Sequence, residues 1–541
     1  MRWWGWGEDE GAVALPATAL EQLLSELGMN GSERGQRVEL EDVSLRKPAL
    51  TSAAGRALEQ AVGAEHVVDD RAARVTHALG KSLADLLRIR SGDGSGAPDA
   101  VVRPGSAEEV AASLAACAEA GVAVIPFGGG TSVVGGVEAL PGEHAAAISM
   151  DLGRMDSVLE IDPRSRIGRF EPGLMGPELE RRLARAGLTL GHFPQSFEFS
   201  TVGGWVATRS AGQASTGYGR IDELVESVVC ACPAGVLATR AVPASAAGPS
   251  LRELLVGSEG TLGVITEATL RLRPLPETRH YEAWSFRSFE EGVEAFRHME
   301  QAEASPDVAR LSDEHETRLS TALAADGGGG GRIGTAYLRL RGHQRGCIAV
   351  AGFEGSAQEV ARRRGRTAEL LRAAGGLPLG QRPARSWHQG RFTAPYLRDE
   401  LLDRGVMAET LETATTWSDL QAMYQAVGDS LREALAARGT PPLVMCHVSH
   451  LYTTGASLYF TFMARQEEGA GLDQWWAAKA AAVDAIVAND GTITHHHGVG
   501  RDHTPWMSDE VGEPGLDLLR AAKERLDPTG IMNPGKLLPD R

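Results

Sequence analysis

Cysteine is scarce and poorly spaced for bonding. The 541 residues hold five, at 117, 230, 232, 347 and 446, an odd number with no CxxC pair. That argues against a disulfide framework and a structural zinc site, and fits free or buried thiols in a reducing cytoplasm. No run of about 18 apolar residues occurs, so no membrane-spanning helix is predicted. The start, MRWWGWGEDEG, lacks a basic stretch followed by an apolar one, so no signal peptide is expected. The end, LLPDR, is not a peroxisomal address of the S-K-L type. Positive charge is also in deficit: 54 basic against 71 acidic side chains, net −17. That balance argues against nucleic acid as a partner, while leaving room for a local basic pocket.

What remains is an ordinary globular composition, 43% hydrophobic and 23% charged. At roughly 100–200 residues per domain, the length suggests two or three domains. Residues 1–93 read as an N-terminal region, mostly helical in its second half, where KSLADLLRIR has near-helical apolar spacing. SGDGSGAP (91–98) reads as a flexible break. From 94 to 275 the rhythm is α+β. DAVVRP is a short strand, 105–121 a helix with Ser106 as N-cap and Glu109 at the capping-box spacing, and VAVIPF a buried strand. Residues 276–505 form a second α+β region, with a strand pair PLVMCHVSHLY and SLYFTFMAR joined by TTGA and an Ala-rich helix over 471–491. GGGGG (327–331) reads as a loop tip. The segment 506–541 is expected to return to the 94–275 domain.

Three Gly-rich stretches carry the chemistry. PFGGGTSVVGG (126–136) has five Gly in eleven residues directly after a strand. Glycine leaves no Cβ in the way, so successive backbone N–H groups can converge on a pyrophosphate, with Thr131 and Ser132 adding hydroxyls. The second stretch, 196–225, interleaves Ser, Thr and Gly with apolar residues. The third, GSEGTLGVITEATLRLRP (257–274), puts Glu259 and Thr261 in a turn before a strand. One such loop is weak evidence; three within about 150 residues are not a coincidence of loop composition.

Together these stretches resemble flavoproteins of the vanillyl-alcohol-oxidase type, with the p-cresol-methylhydroxylase (PCMH) FAD fold. The resemblance implies an α+β, two-subdomain PCMH-type FAD-binding domain and an α+β cap with an antiparallel sheet. It implies FAD held by Pro126, Gly128, Gly129, Gly130, Thr131 and Ser132 of the first stretch. From the second come Ser200, Thr201, Gly203, Gly204, Thr208, Ser210, Gly212, Tyr218 and Gly219, and from the third Glu259, Gly260, Thr261, Gly263 and Ile265. RWWGWG, GHFPQSFEFSTVGGW, YLRDEL, SLYF, THHHGVG and DPTGIMNPGKLLP are similar to the alkyldihydroxyacetonephosphate synthases, almost end to end. That family replaces the acyl chain of acyl-dihydroxyacetone phosphate with a fatty alcohol, without net use of the flavin as an electron carrier. The likeness implies catalytic roles for Arg398, Tyr459, His495, His496 and His497, and substrate contacts from Arg398, Arg310 and His447. It also implies a non-covalent flavin, consistent with a loop 126–136 that lacks His and Cys. Lipid substrates are the expected partners. A peripheral membrane contact and a homodimer stay open.

The residue types suit these roles. Imidazole exchanges protons near neutrality; in an extended segment the outer two of His495, His496 and His497 would face one way and the middle one the other. Arg398 offers a permanently charged fork for an anion, set against a surface ion pair with Asp399 or Glu400. CHVSHLY departs from the synthase pattern and resembles related dehydrogenases of D-lactate and glycolate. That keeps an FAD-dependent oxidoreductase acting on a 2-hydroxy acid or other alcohol as the alternative. His447, His450 and His496 could then meet at a metal, but no carboxylate motif completes the set, and no metal is assigned.

Overall fold

The computed structural model describes residues 1–325 and 338–539. The GGGGG stretch lies outside the described residues. Two sheets build the first half of the molecule. The four-stranded one runs Val67–Val68, Ala100–Val102, Ala146–Asp151, Val122–Phe127, with its last three strands parallel. The helix Ala107–Ala120 connects two of them. Its N-terminus is tied by Ser106 Oγ accepting from Glu109 N (3.2 Å), while the Glu109 carboxylate accepts from Gly105 N (2.6 Å). Val110, Leu114 and Cys117 face the sheet and are buried. The five-stranded sheet runs Gly235–Ala238, Val225–Cys232, Val264–Arg271, Ile167–Phe170, Val158–Asp162 and is antiparallel throughout.

The second half is built on seven antiparallel strands. Their order is Leu377–Gly380, Thr278–Phe286, Cys347–Gly355, Val308–Ser312, Leu443–Tyr452, Gly455–Arg465, Val406–Thr416. Helices Phe289–Gln301, Leu420–Ala437 and Gly471–Ala488 share the largest buried apolar cluster with this sheet. A sheet with one face under helices leaves the other free to form the wall of a site.

Both chain ends reach the first half. Ile531 O accepts from Val124 N (2.7 Å) and Asn533 N donates to Val124 O (2.9 Å), extending the four-stranded sheet beside Val122–Phe127. The buried Lys536 donates through Nζ to Glu138 O (2.7 Å). The reading of SGDGSGAP as a flexible break is corrected. Asp93–Gly94 pairs in parallel with Ser44–Leu45, and Asp93 is held by Arg88 (2.9 Å). A Cβ on Gly94 would come within 2.7 Å of the Val43 and Leu45 side chains, so these glycines serve close packing. All five cysteines are buried and unbonded. No helix among the described residues is long and apolar enough to cross a membrane.

Candidate active site

A cavity of about 450 Å³ lies between the Gly-rich loops and the open face of the seven-stranded sheet. On the loop side it is lined by Pro126, Gly128, Gly129, Gly130, Thr131 and Ser132, and by Ser200, Thr201, Gly203, Gly204, Thr208 and Ser210. Glu259, Gly260, Gly263 and Ile265 complete that wall. The glycines are a steric requirement. A Cβ on Gly129 would sit 1.7 Å from Phe199 O, and one on Gly128 would sit 2.4 Å from Thr201 Oγ1, so the first two loops touch only because neither has a side chain there. The N–H groups of Gly129, Gly130 and Thr131 find no acceptor among the described residues. Free backbone donors in a loop of this kind form an anion nest, which fits the pyrophosphate of FAD.

Four predicted flavin residues do other work. Tyr218 donates to Glu354 Oε2 (2.8 Å), beside Tyr281 donating to Glu354 Oε1 (2.6 Å), and so braces the loop against the sheet rather than facing the cavity. Gly212 packs against the backbone of Phe193, Gly219 ends a short helix at φ 95°, and Thr261 Oγ1 donates to Ser258 O (2.7 Å). None of the four lines the cavity. Glu259 lines it but also clasps the histidine loop. Its carboxylate accepts from Val499 N (2.6 Å) and Gly500 N (2.7 Å), and burial pushes its pKa up to about 7.

Strand register sets the sheet side. Glu412 lies opposite Tyr459, Tyr459 opposite His447, and His447 opposite Ser312. Directly paired residues share a face. Tyr459 stacks on His447 with ring centroids 4.8 Å apart. Burial pushes the Tyr459 phenol up to about 12, so it stays protonated and able to donate.

The histidine loop is wound around the Glu412 carboxylate, which corrects the expectation of an alternating extended segment. Three successive N–H groups point at that carboxylate. His496 N and His497 N donate to Oε1 at 3.0 and 2.8 Å, His495 N donates to Oε2, and Thr494 Oγ1 adds a fourth donor (2.9 Å). Converging donors override the periodicity of an isolated strand. Burial alone would raise the Glu412 pKa; the surrounding histidines and their N–H groups outweigh it and hold the group well below the usual carboxylate range. Burial pushes His496 down to about 3 and lowers His495 and His497, so the imidazoles are neutral near pH 7.

The predicted catalytic residues separate. Tyr459, His496, His497 and Arg398 line the cavity; His495 does not. His495 lies behind His496, with its Nε2 2.6 Å from the Tyr452 hydroxyl. Arg398 makes neither of the ion pairs set against its functional role. Asp399 accepts from Trp6 N (2.6 Å) and Arg2 (3.0 Å), and Glu400 pairs with Arg404. Arg398 Nη1 donates to Lys81 O (2.8 Å), while its Nε and Nη2 are buried without a partner among the described residues. Trp6, from the N-terminal RWWGWG, lines the cavity nearby, and its indole Nε1 is likewise buried and unpartnered. Buried N–H groups without acceptors are costly unless a ligand supplies one.

Arg310 and His447 line the cavity but are already engaged. Arg310 Nη2 donates to Glu316 Oε1 (2.8 Å), and His447 lies within 3.0 Å of Arg310 and 3.1 Å of Glu316. Both His447 nitrogens face partners, so its contribution to a substrate is its ring face and its hold on Arg310. His447 also stands apart from the histidine cluster that could hold a cation. The groups whose ligand atoms converge are His450, His495 and His496, and Glu412, His496 and His497. Glu412 and Glu316 went unrecognised in the sequence. Each is an isolated glutamate in an ordinary pattern, and only strand register brings it to the site.

The chain is similar to known flavoproteins over most of its length. Residues 98–239 match the family described as "FAD binding domain", and residues 275–537 match "FAD linked oxidases, C-terminal domain". The chain is 34% identical to an alkyldihydroxyacetonephosphate synthase of Dictyostelium discoideum, over 100% of this chain and 93% of that one. A solved alkyldihydroxyacetonephosphate synthase superposes with a TM-score of 0.86 at 31% identity, covering 99% of each chain. A p-cresol methylhydroxylase structure, at 15% identity and a TM-score of 0.67 over 91% of this chain and 98% of that one, shares the fold.

Proposed function

The chain belongs to the alkyldihydroxyacetonephosphate synthase family, and from that premise we propose how its residues carry the reaction of ether-lipid alkyl transfer. The acyl chain of acyl-dihydroxyacetone phosphate is replaced by a fatty alcohol, with FAD as cofactor; a loop 126–136 without His or Cys favours a non-covalent flavin. When bound, FAD supplies a nucleophilic centre that lets one oxygen substituent replace another without net electron transfer. The loops 128–132 and 200–210 would hold its pyrophosphate.

The single observation that carries the assignment of roles is the Arg398 guanidinium, whose Nε and Nη2 lack a partner among the described residues, in a mostly apolar cavity. A fork with two free N–H groups matches the phosphate of the substrate. Tyr459 and His496 stand across the cavity, neutral and able to donate, where a carboxylate departs and an alcohol enters. The mostly apolar lining, which includes the buried Trp6, disfavours water that would compete with the alcohol. We divide the chain functionally into residues 1–93, an FAD domain 94–275, a cap 276–505 and a returning tail 506–541. Peripheral contact with a lipid surface belongs to the same proposal, because both chains exchanged are lipids, and vesicle flotation tests it.

The deciding experiment is anaerobic turnover with acyl-dihydroxyacetone phosphate and a fatty alcohol, without an electron acceptor. Alkyl product and free fatty acid should appear in equal amounts over many turnovers. Arg398→Ala should lower kcat/KM at least about 100-fold, the scale of a lost charge-assisted pair, while the protein stays yellow. Turnover only of 2-hydroxy acids with a dye acceptor would replace this reading by the oxidoreductase one. Unchanged kcat/KM in Arg398→Ala would remove the phosphate assignment.

A further inference from the structure

Behind the cavity wall lies a line of hydrogen-bonding groups that the roles above leave unused. The Tyr452 hydroxyl is 2.6 Å from His495 Nε2, and His495 Nδ1 is 2.9 Å from His496 Nδ1. Neither Tyr452 nor His495 lines the cavity, whereas His496 does. Two neutral imidazole nitrogens can be this close only if one carries the proton and the other accepts it. The direction of that bond decides what His496 shows to the cavity.

The outer end of the line sets the direction. Arg220, held by Asp222 Oδ1 (3.1 Å) and Arg209 O (3.4 Å), lies against the Tyr452 hydroxyl, and a guanidinium has no lone pair to offer. If Arg220 donates to the phenol oxygen, the phenol O–H is free to donate to His495 Nε2. His495 then carries its proton on Nδ1 and donates to His496 Nδ1. His496 is left protonated on Nε2. The reverse direction makes the phenol oxygen accept twice and strands its proton without a protein acceptor, the less satisfied arrangement. The neighbouring His450 has its Nδ1 engaged by Ser215 Oγ (2.7 Å), and among the described residues it makes no hydrogen bond to His495 or His496, although its ring lies close to both. Among the described residues His496 Nε2 has no hydrogen-bond partner, so it is this N–H that a ligand meets.

We propose that Tyr452 is a positioning residue that, through His495, fixes His496 as an N–H donor toward the cavity. Resting on the alkyl-transfer reading, this makes His496 the group that donates a hydrogen bond to the acyloxy oxygen as the carboxylate leaves. It is not the base that receives the alcohol proton.

Two measurements test this on the flavin-bound protein. Nitrogen-15 spectra of histidine-labelled protein, with the His496 signal identified by its loss in His496→Gln, should show the Nε2–H tautomer. The Nδ1–H tautomer would overturn the proposal, whatever the enzyme turns over. Kinetically, Tyr452→Phe should lower kcat by about 10–100-fold while KM for the phosphate substrate changes less than about twofold. Asparagine at 495 offers its amide N–H where His495 Nδ1–H stood and needs no phenol to fix it. Adding Tyr452→Phe to His495→Asn should therefore cost almost nothing further. An equal loss in both backgrounds would mean that Tyr452 acts only on general structure, and the proposal would fail. Absence of alkyl product from the wild-type enzyme would count against the reaction, leaving the tautomer to be decided by the spectrum.

Discussion

Glu412 organises more of the cavity than any group that faces the substrate. Its carboxylate gathers three successive N–H groups and the Thr494 hydroxyl from a loop 82–85 residues away. Charge-assisted bonds of this kind contribute roughly 1.5–3 kcal/mol each at most, and their shared acceptor makes them non-additive. Glu412→Gln should therefore destabilise the protein by about 2–4 kcal/mol, measured by denaturant unfolding. The pH dependence follows from its lowered pKa. The folded value lies below the unfolded 4.5, so the stabilisation is full above pH 4.5 and disappears as pH falls through the folded value. The gap in melting temperature between wild type and Glu412→Gln should be constant above pH 5 and close on acidification. A gap that widens in acid would show that the carboxylate is not ionised in the fold. Arg398 and the histidines stood out in the sequence because their residue types and the YLRDEL and THHHGVG stretches mark them. Glu412 did not, since a glutamate in LETATT looks like the polar face of any strand.

The Gly-rich loops show the same logic for whole elements. Their chemistry was legible because glycine after a strand has few other uses. The division of labour within them was not. Tyr218 and Thr261 sit in the right stretches but point away, which depends on side-chain direction rather than on spacing. The contact between loops gives a sharp expectation. Gly129→Ala forces a Cβ to within 1.7 Å of Phe199 O, so loop 126–132 must separate from loop 196–204. The variant should fold yet purify largely without flavin, read as the ratio of flavin absorbance to protein. A fully loaded Gly129→Ala enzyme would show that the two loops are not both needed to hold the cofactor. The strand and helix pattern of both halves was likewise readable from periodicity, but the order of the seven strands was not, because the pairing that joins the sheet's two parts, Leu311 with Val448, spans more than a hundred residues.

Across the whole molecule, buried titrating groups pull stability in opposite directions. Burial lowers the pKa of His192, His447, His450, His495, His496, His497 and His503. The unfolded chain binds protons at these seven once pH falls below 6.5, so they remove stability in acid. Burial raises Asp85 to about 6 and Glu259, Asp313 and Asp502 to about 7. Those four favour the fold while protonated and withdraw support as pH rises from 4.5 to 7. His315, His343 and His388 are lowered too, and Glu180, Glu198, Asp307 and Asp399 raised, so ten histidines stand against eight carboxyls and prevail below pH 6.5. The melting temperature should therefore climb from pH 5 and level off near pH 7, and differential scanning fluorimetry across that range checks it. A protein most stable at pH 5 would mean that the histidines are not buried and neutral together.

The tail contacts have a consequence for how the enzyme keeps its cofactor. Asn533 donates to Gly136 O and Glu259 O, and Lys536 to Glu138 O, so the backing of the cofactor cradle is borrowed from chain 274 to 398 positions away. The grip on the flavin is thus latched from behind: any event that frees residues 533–536 loosens the cradle without touching the residues that line it.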